Sequence, residues 1–372
     1  MITSLCFLAF SSCSVQQPSD TYNLLIGTYS TPGEEGSIYV YRFNADSGTV
    51  QLKNRLRVNS PSYLTVSKDL NNVYAVSEDS TTYVNAFSYE AKSGSLKLIN
   101  RIPAGGRGPT YISVDSSKRY VFTANYGGGS LSALQIGENG GLEGEPYVIK
   151  HSGSGLIPGR QSHSHVHSVV LTPDNKFVVT QDLGTDKVYL YRFNPDSVQA
   201  PLVPAQQASI TLPPGTGPRH LTFAPNGKYA YLISEISSVM MAFEYADDSL
   251  KLIQSLSTMP DGFTGTGNGA DVHVSPDGRF LYGSNRGDLD DIVVYSIDQS
   301  TGKLTFVQRV SAEGAHARTF AIDPSGNYLV IANGRSNNLT IFKRDKQTGK
   351  LTSVGHINDI TRPSCVKFTS AQ

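Results

Sequence analysis

Charged and titratable side chains recur at two positions of this 372-residue sequence, each at the edge of a short β-prone segment. The first position holds Ser62, Thr110, His167, Arg219, Ala270 and Arg318, with Asp271 just after Ala270. The second lies 15 to 16 residues further on. It holds Ser77-Glu78, Asn125-Tyr126, Asp182-Leu183, Ser234-Glu235, Asn285-Arg286 and Asn333-Gly334. His and Glu can accept a proton near neutral pH in a suitable environment. Arg can hold an anionic group, or a developing oxyanion, through paired N–H donors. His167, Arg219, Glu235 and Arg286 therefore have the parts for acid–base chemistry on an anionic substrate. The same residues also fit a plainer reading. Arg219 and Glu235 could be an ion pair between neighbouring strands, and His167 a hydrogen-bonded residue at a strand start.

The elements that must position them form a repeat. Segments starting at Ser62, Thr110, His167, Arg219, Ala270 and Arg318 each read as an alternating apolar strand, a polar turn and a second strand. RHLTFAPNGKYAYLISE and ADVHVSPDGRFLYGSNR are two of them. The turn is often Pro-Asp/Asn-Gly, the chemistry of a tight β-turn. A third strand follows each time, such as KVYLYRFN or DIVVYSID, then a fourth such as SLKLIQSL or KLTFVQRV. The starts are 48, 57, 52, 51 and 48 residues apart, and four strands at that period make a propeller blade.

Six blades are complete, and the ends supply a seventh. NLLIGTYS, GSIYVYRFN and VQLKNRLRV after Tyr22 match strands two to four, while Ser364–Thr369 matches a lone first strand. The expected fold is all-β, a seven-bladed β-propeller closed between the N-terminal strands and the C-terminal strand. Closure removes two exposed strand edges. Strands one and two form the hairpin nearest the axis, so both charged positions fall at one mouth of the channel. The ordinary turns PDN, PNG, PDG and PSG fall at the other.

Composition narrows the function classes. Thirty-one basic and 31 acidic side chains leave a formal net charge of zero, against a nucleic-acid surface. Gly127-Gly128-Gly129 precedes a strand, not a helix, so no dinucleotide motif is present. The absence of Trp disfavours propellers that use Trp docking motifs or Trp-based carbohydrate platforms. Residues 1–21 read as a lipoprotein signal and tether: apolar Met1–Ala9, then Phe10-Ser11-Ser12-Cys13, then a polar run. Cys13 would be the lipidated residue, giving a membrane tether and a cell-envelope or periplasmic location. The missing Lys or Arg before the apolar stretch favours the alternative, a cytoplasmic protein. Residues 22–372 form the propeller domain. Cys365 is expected to be a small buried residue.

His163, His165 and His167 alternate, so an extended chain would point all three to one side. Such an array could bind a transition metal, but it lacks the Cys or carboxylate that usually completes a site. No metal or other cofactor is expected. His165, Asn125, Asp182, His220 and Asn285 lie at the charged mouth by position and are candidate substrate-binding residues; His273 and His316 lie nearby.

The sequence resembles the propeller-type lactonase family, which includes 6-phosphogluconolactonases and carboxy-muconate lactonizing enzymes. The resemblance spans Tyr22 to Thr369. It is most specific in HVHSVVLTPDNKFVVTQDLGTDKVYLYRF, GPRHLTFAPNGKYAYLISE and GADVHVSPDGRFLYGSNRG. It implies a catalytic group of one His, one Glu and two Arg, matching His167, Glu235 in LISE, Arg219 in GPRH and Arg286 in SNRG. It implies hydrolysis of a sugar lactone, an anionic one given the Arg pair. A lactonizing isomerase using the same residues, or a propeller that binds a protein or glycan, are the alternatives. Either Glu235 or His167 would activate water.

Overall fold

The computed structural model describes residues 20–31 and 33–371, so Cys13 and the expected signal lie outside the described residues. The described chain folds into 28 strands in seven four-stranded antiparallel sheets. Six sheets use consecutive strands. The seventh pairs Pro363–Ser370 with Thr21–Thr28, then Gly36–Asn44 and Val50–Val58, which is the ring closure read from the sequence. No helix of the described residues is long and apolar enough to cross a membrane.

Five of the seven second strands are buried along their whole length; Tyr229–Ser234 and Tyr328–Asn333 are examples. Such strands are covered on both faces by neighbouring blades, so they read as continuous apolar runs rather than alternating ones. Each outer strand instead shows one face to water, as in Ser249–Ser257. Polar groups then join blade to blade. The Tyr231 hydroxyl donates to Gly302 O at 3.0 Å, Tyr282 to Gly349 O at 2.8 Å and Tyr74 to Gly140 O at 3.0 Å. Gln254 brackets Leu304, donating to its carbonyl at 3.0 Å and accepting from its amide at 2.6 Å. Gln308 treats Leu351 the same way. These side chains satisfy backbone groups that the sheets leave over at blade boundaries.

The inner hairpins have a shared irregularity. A bulge follows Pro109, Val166, Pro218 and Ala317, and in each case it pushes out the residue at the first charged position. An extra residue in one strand re-aims its side chain, and here the re-aimed side chains are Thr110, His167, Arg219 and Arg318. In the fifth complete hairpin the strand extends back to Gly267, and the bulge spans Ala270 and Asp271. Cys365 is fully buried, as expected, and its thiol is free.

Candidate active site

Glu235 is the hub of the charged mouth. It follows the strand Tyr229–Ser234, and its amide donates to Gly217 O at 2.8 Å, which fixes where the side chain starts. Its Oε2 accepts from Arg219 Nε at 2.8 Å and from Arg286 Nη2 at 2.8 Å. Its Oε1 is taken by Arg160. His167 Nε2 stands 3.8 Å from Oε2. The four residues implied by the family resemblance are thus gathered around one carboxylate, from three adjacent blades.

The electrostatics follow from this packing. Burial alone would raise the Glu235 carboxyl, but Arg286, Arg219 and Arg160 outweigh it and hold it below the usual carboxylate range. Burial, then the charge of Arg219, pushes the His167 imidazole well below its ordinary value, so it is neutral at physiological pH. Its Nδ1 is buried without a partner. Burial and the like charges of Arg286 and Arg318 bring Arg219 down to about 9, which still leaves it charged near neutrality.

Arg219 is the largest of the fully buried side chains, 1% exposed. Besides Glu235 it donates from Nη1 to Ala270 O and to His220 Nε2, the latter at 3.0 Å. The Nη2 hydrogens are not used by these bonds. His220 Nδ1 in turn donates to Asp271 Oδ1 at 2.7 Å, and Asp271 Oδ2 accepts from His273 Nε2 at 3.1 Å. This chain runs down the channel to a cavity of about 360 Å³ at the turn side, lined by Tyr111, His220, Asp271, His273 and Phe223. A larger cavity of about 780 Å³, lined by Asp69, Tyr74, Lys118 and Glu143, contains none of the candidate residues.

Several residues expected to bind substrate have other work. Asn125 is fully buried and donates to Ser130 Oγ at 3.1 Å and Ser132 Oγ at 2.8 Å. Asn285 donates to Asp291 Oδ1 at 2.8 Å and accepts from Thr258 Oγ1 at 2.8 Å. Both fasten the end of their second strand within the blade. Asp182 accepts from the His165 amide at 2.8 Å, from Ser164 Oγ at 2.6 Å and from His151 Nδ1 at 3.2 Å. Hydrogen bonds within the fold engage all three, and their surfaces are enclosed. His220 lies against Arg219, its Nε2 facing Nη1 at 3.0 Å. His165 stacks on Tyr126, with centroids 4.4 Å apart, and donates from Nδ1 to Tyr126 O at 3.0 Å.

The three alternating histidines do not converge. His163 packs on His165 at 4.0 Å, while Tyr126 stands between His165 and His167, 5.4 Å from the latter. Among the described residues, no group of three or more His, Cys, Asp or Glu is arranged to hold a metal ion.

Arg160 was not among the candidates. It lies in the long insertion before Val166, so no repeat position marks it. The insertion is held at both ends of this stretch. Gln161 donates to Asp186 Oδ1 at 2.7 Å, and the same Asp186 accepts from the Gly217 amide at 2.7 Å, just ahead of Arg219. At Gly184 a Cβ would fall 1.9 Å from His163 O, so only glycine lets the insertion lie this close. Arg318, Tyr29 and Glu78 also face the mouth. Tyr29 Oη donates to Glu78 Oε2 at 2.9 Å and Ser62 Oγ to the same oxygen at 2.5 Å. Arg318 and Glu78 were visible at the two repeat positions; Tyr29 was not.

The family described as "Lactonase, 7-bladed beta-propeller" matches residues 23–368. The chain belongs to this lactonase family. A relative named 6-phosphogluconolactonase from Bacillus subtilis is 36% identical over 349 residues, covering 92% of this chain and 97% of the relative. Another of that name from Formosa agariphila is 36% identical, covering 88% and 94%. The solved structure of a Pseudomonas aeruginosa periplasmic gluconolactonase superposes with a TM-score of 0.90 at 36% identity, covering 95% of this chain and all of that one.

Proposed function

We propose that this lactonase-family chain hydrolyses a sugar lactone, with His167 as general base and Arg219 and Arg286 as oxyanion donors. The observation that carries the assignment is the state of Glu235. Three guanidinium groups occupy its oxygens and keep it ionised, which makes it a poor proton acceptor. His167 is neutral, enclosed, and has a nitrogen without a partner. A water beside Nε2, the nitrogen on the Glu235 side of the ring, gives its proton to the imidazole as its oxygen bonds to the lactone carbonyl carbon. The carbonyl oxygen becomes an oxyanion facing the arginine donors. Collapse re-forms the carbonyl, breaks the bond to the ring oxygen, and returns the proton from the imidazolium to that oxygen. The Glu235 carboxylate stabilises the transient imidazolium and spaces the arginines.

The names of the relatives support a sugar lactone as substrate. The excess of arginine at the mouth supports an anionic one. The Met1–Cys13 pattern supports a tether in the cell envelope, with residues 22–372 as one lactonase-like domain; labelling with a radioactive fatty acid, with Cys13→Ser as control, tests the tether. Proton release from 6-phosphogluconolactone and from gluconolactone tests the activity. Acceleration above the spontaneous rate, lost in His167→Ala, is expected. No acceleration with either lactone would remove the enzymatic reading.

A further inference from the structure

Arg286 touches Glu235 with one nitrogen and His316 with another. Its Nη2 donates to Glu235 Oε2 at 2.8 Å, and its Nη1 lies 3.3 Å from His316 Nε2. A guanidinium nitrogen can only donate, so Nε2 accepts and the imidazole hydrogen sits on Nδ1. Burial, then the charges of Arg286, Arg318, Arg335 and Arg219, pushes His316 down to about 3, so the ring stays neutral and keeps its acceptor near neutral pH. Arg219 is held in a matching way, with Nε on Glu235 Oε2 and Nη1 on His220 Nε2. The two arginines differ in what else holds them. Arg219 has Ala270 O as a further anchor. Among the described residues, Arg286 has only Glu235 and His316 as hydrogen-bond partners.

The backbone places this ring under strain. His316 precedes the strand Ala317–Ile322 and takes a left-handed φ of 65°. A residue with a Cβ is disfavoured there, and such a conformation persists only where its surroundings over-determine it. Here they do. Asp290 Oδ1 accepts from the amides of His316 at 2.8 Å and Ala317 at 3.0 Å, and His316 O accepts from the Gly334 amide at 3.0 Å. A Cβ at Gly334 would fall 3.2 Å from His316 Nδ1, so that glycine leaves the ring its place. Glycine or asparagine would accept the left-handed φ more readily, so the backbone alone does not call for histidine. The contact with Arg286 does.

We propose that His316 is a positioning residue for lactone hydrolysis, fixing the guanidinium plane of Arg286 so that its remaining Nη hydrogens meet the oxyanion. The inference rests on the lactone-hydrolase reading and adds a residue to it. With both Nη atoms tied, the guanidinium cannot turn; without His316 it pivots on the single bond to Glu235. An oxyanion donor acts in the transition state, so its misalignment lowers kcat more than it raises KM.

His316→Asn suits the left-handed backbone but is too short to keep the acceptor. It should lower kcat about 10- to 100-fold, less than or equal to the loss of a whole oxyanion donor, with KM within about threefold and the melting temperature unchanged or higher. His316→Gln, whose amide oxygen reaches further, should recover part of kcat. In an Arg286→Gln background His316→Asn should cost nothing more, since the group it serves is gone. Unchanged kcat in a folded His316→Asn, or the full loss repeated in the Arg286→Gln background, would overturn the positioning role. So would a melting temperature that falls with kcat and no recovery in His316→Gln, which is the pattern of a structural residue. The ring is also readable without turnover, by nitrogen NMR of wild-type protein labelled in its histidines. The His316 imidazole should stay neutral with Nδ1 protonated from about pH 5 to 8. Protonation at Nε2, or titration near the ordinary 6.5, would overturn the role even if every variant failed to fold. Lactonase activity with an Nε2-protonated ring would sink the positioning role alone; an Nδ1-protonated ring in a protein that hydrolyses neither lactone would sink the hydrolase reading.

Discussion

His220 Nδ1 stands 2.7 Å from Asp271 Oδ1, and this contact decides which nitrogen faces Arg219. The carboxylate can only accept, so Nδ1 carries the hydrogen and Nε2 is left as the acceptor for Arg219 Nη1 at 3.0 Å. Burial and the adjoining Arg219 charge push the His220 imidazole down to about 3, so this tautomer persists across the physiological range. His220 is a positioning residue. His220→Ala should lower kcat/KM at least tenfold. His220→Gln supplies an acceptor of similar reach and should recover part of the loss, which a purely structural defect would not do.

Removing the hub charge should be worse. Glu235→Gln leaves Arg160, Arg219 and Arg286 facing one another without their shared carboxylate. Loss of one partner from a buried charge cluster costs about 3–5 kcal/mol, so the melting temperature should drop by several degrees and activity by about 100-fold or more. The pH dependence has a defined sign. The carboxyl titrates at 4.5 in its ordinary state and lower in the folded protein, so its contribution is complete above about 4.5 and is lost as pH falls below it. Thermal melts of both proteins between pH 3 and 7 would reveal this: the gap between them should narrow at the acid end.

The acid limb of activity should report His167. Its imidazole is held well below 6.5, so the neutral, proton-accepting form survives as pH falls through 6.5. The kcat/KM profile should therefore stay level through pH 6.5 and decline only at lower pH. A decline centred at or above 6.5 would assign the base elsewhere.

Arg160 differs from the other two arginines because its side chain is 42% exposed. Arg160→Ala should lower kcat/KM by about 3- to 10-fold with little change in melting temperature, since exposed pairs contribute about 1 kcal/mol or less. The size of the defect should shrink at high salt, measured as kcat/KM from 0.05 to 0.5 M.

The blades and the mouth were legible in the sequence because both depend on a repeat. Alternating apolar residues and Gly- or Asn-containing turns recur, and Gly278 and Gly326 at φ 73° and Asn175 at φ 60° meet the same backbone demand. His167, Arg219, Glu235 and Arg286 stood out as departures from the repeat. Asn125 and Asn285 instead conform to the repeat. Asn333 occupies the same position and donates to Thr340 Oγ1 at 3.1 Å, so an Asn that recurs there serves the blade. Arg160 escaped because an insertion has no repeat to depart from, and its placement depends on the tertiary contact of Gln161 with Asp186.

The ring is sealed by Pro363–Ser370 lying against Thr21–Thr28. During synthesis the earliest strands must wait, edge open, until nearly the entire chain has left the ribosome. Ser364 Oγ donates to Ser62 O at 2.9 Å, so that last strand also braces the wall of the mouth. A chain without that last strand would therefore lose the ring closure and the brace on the mouth together.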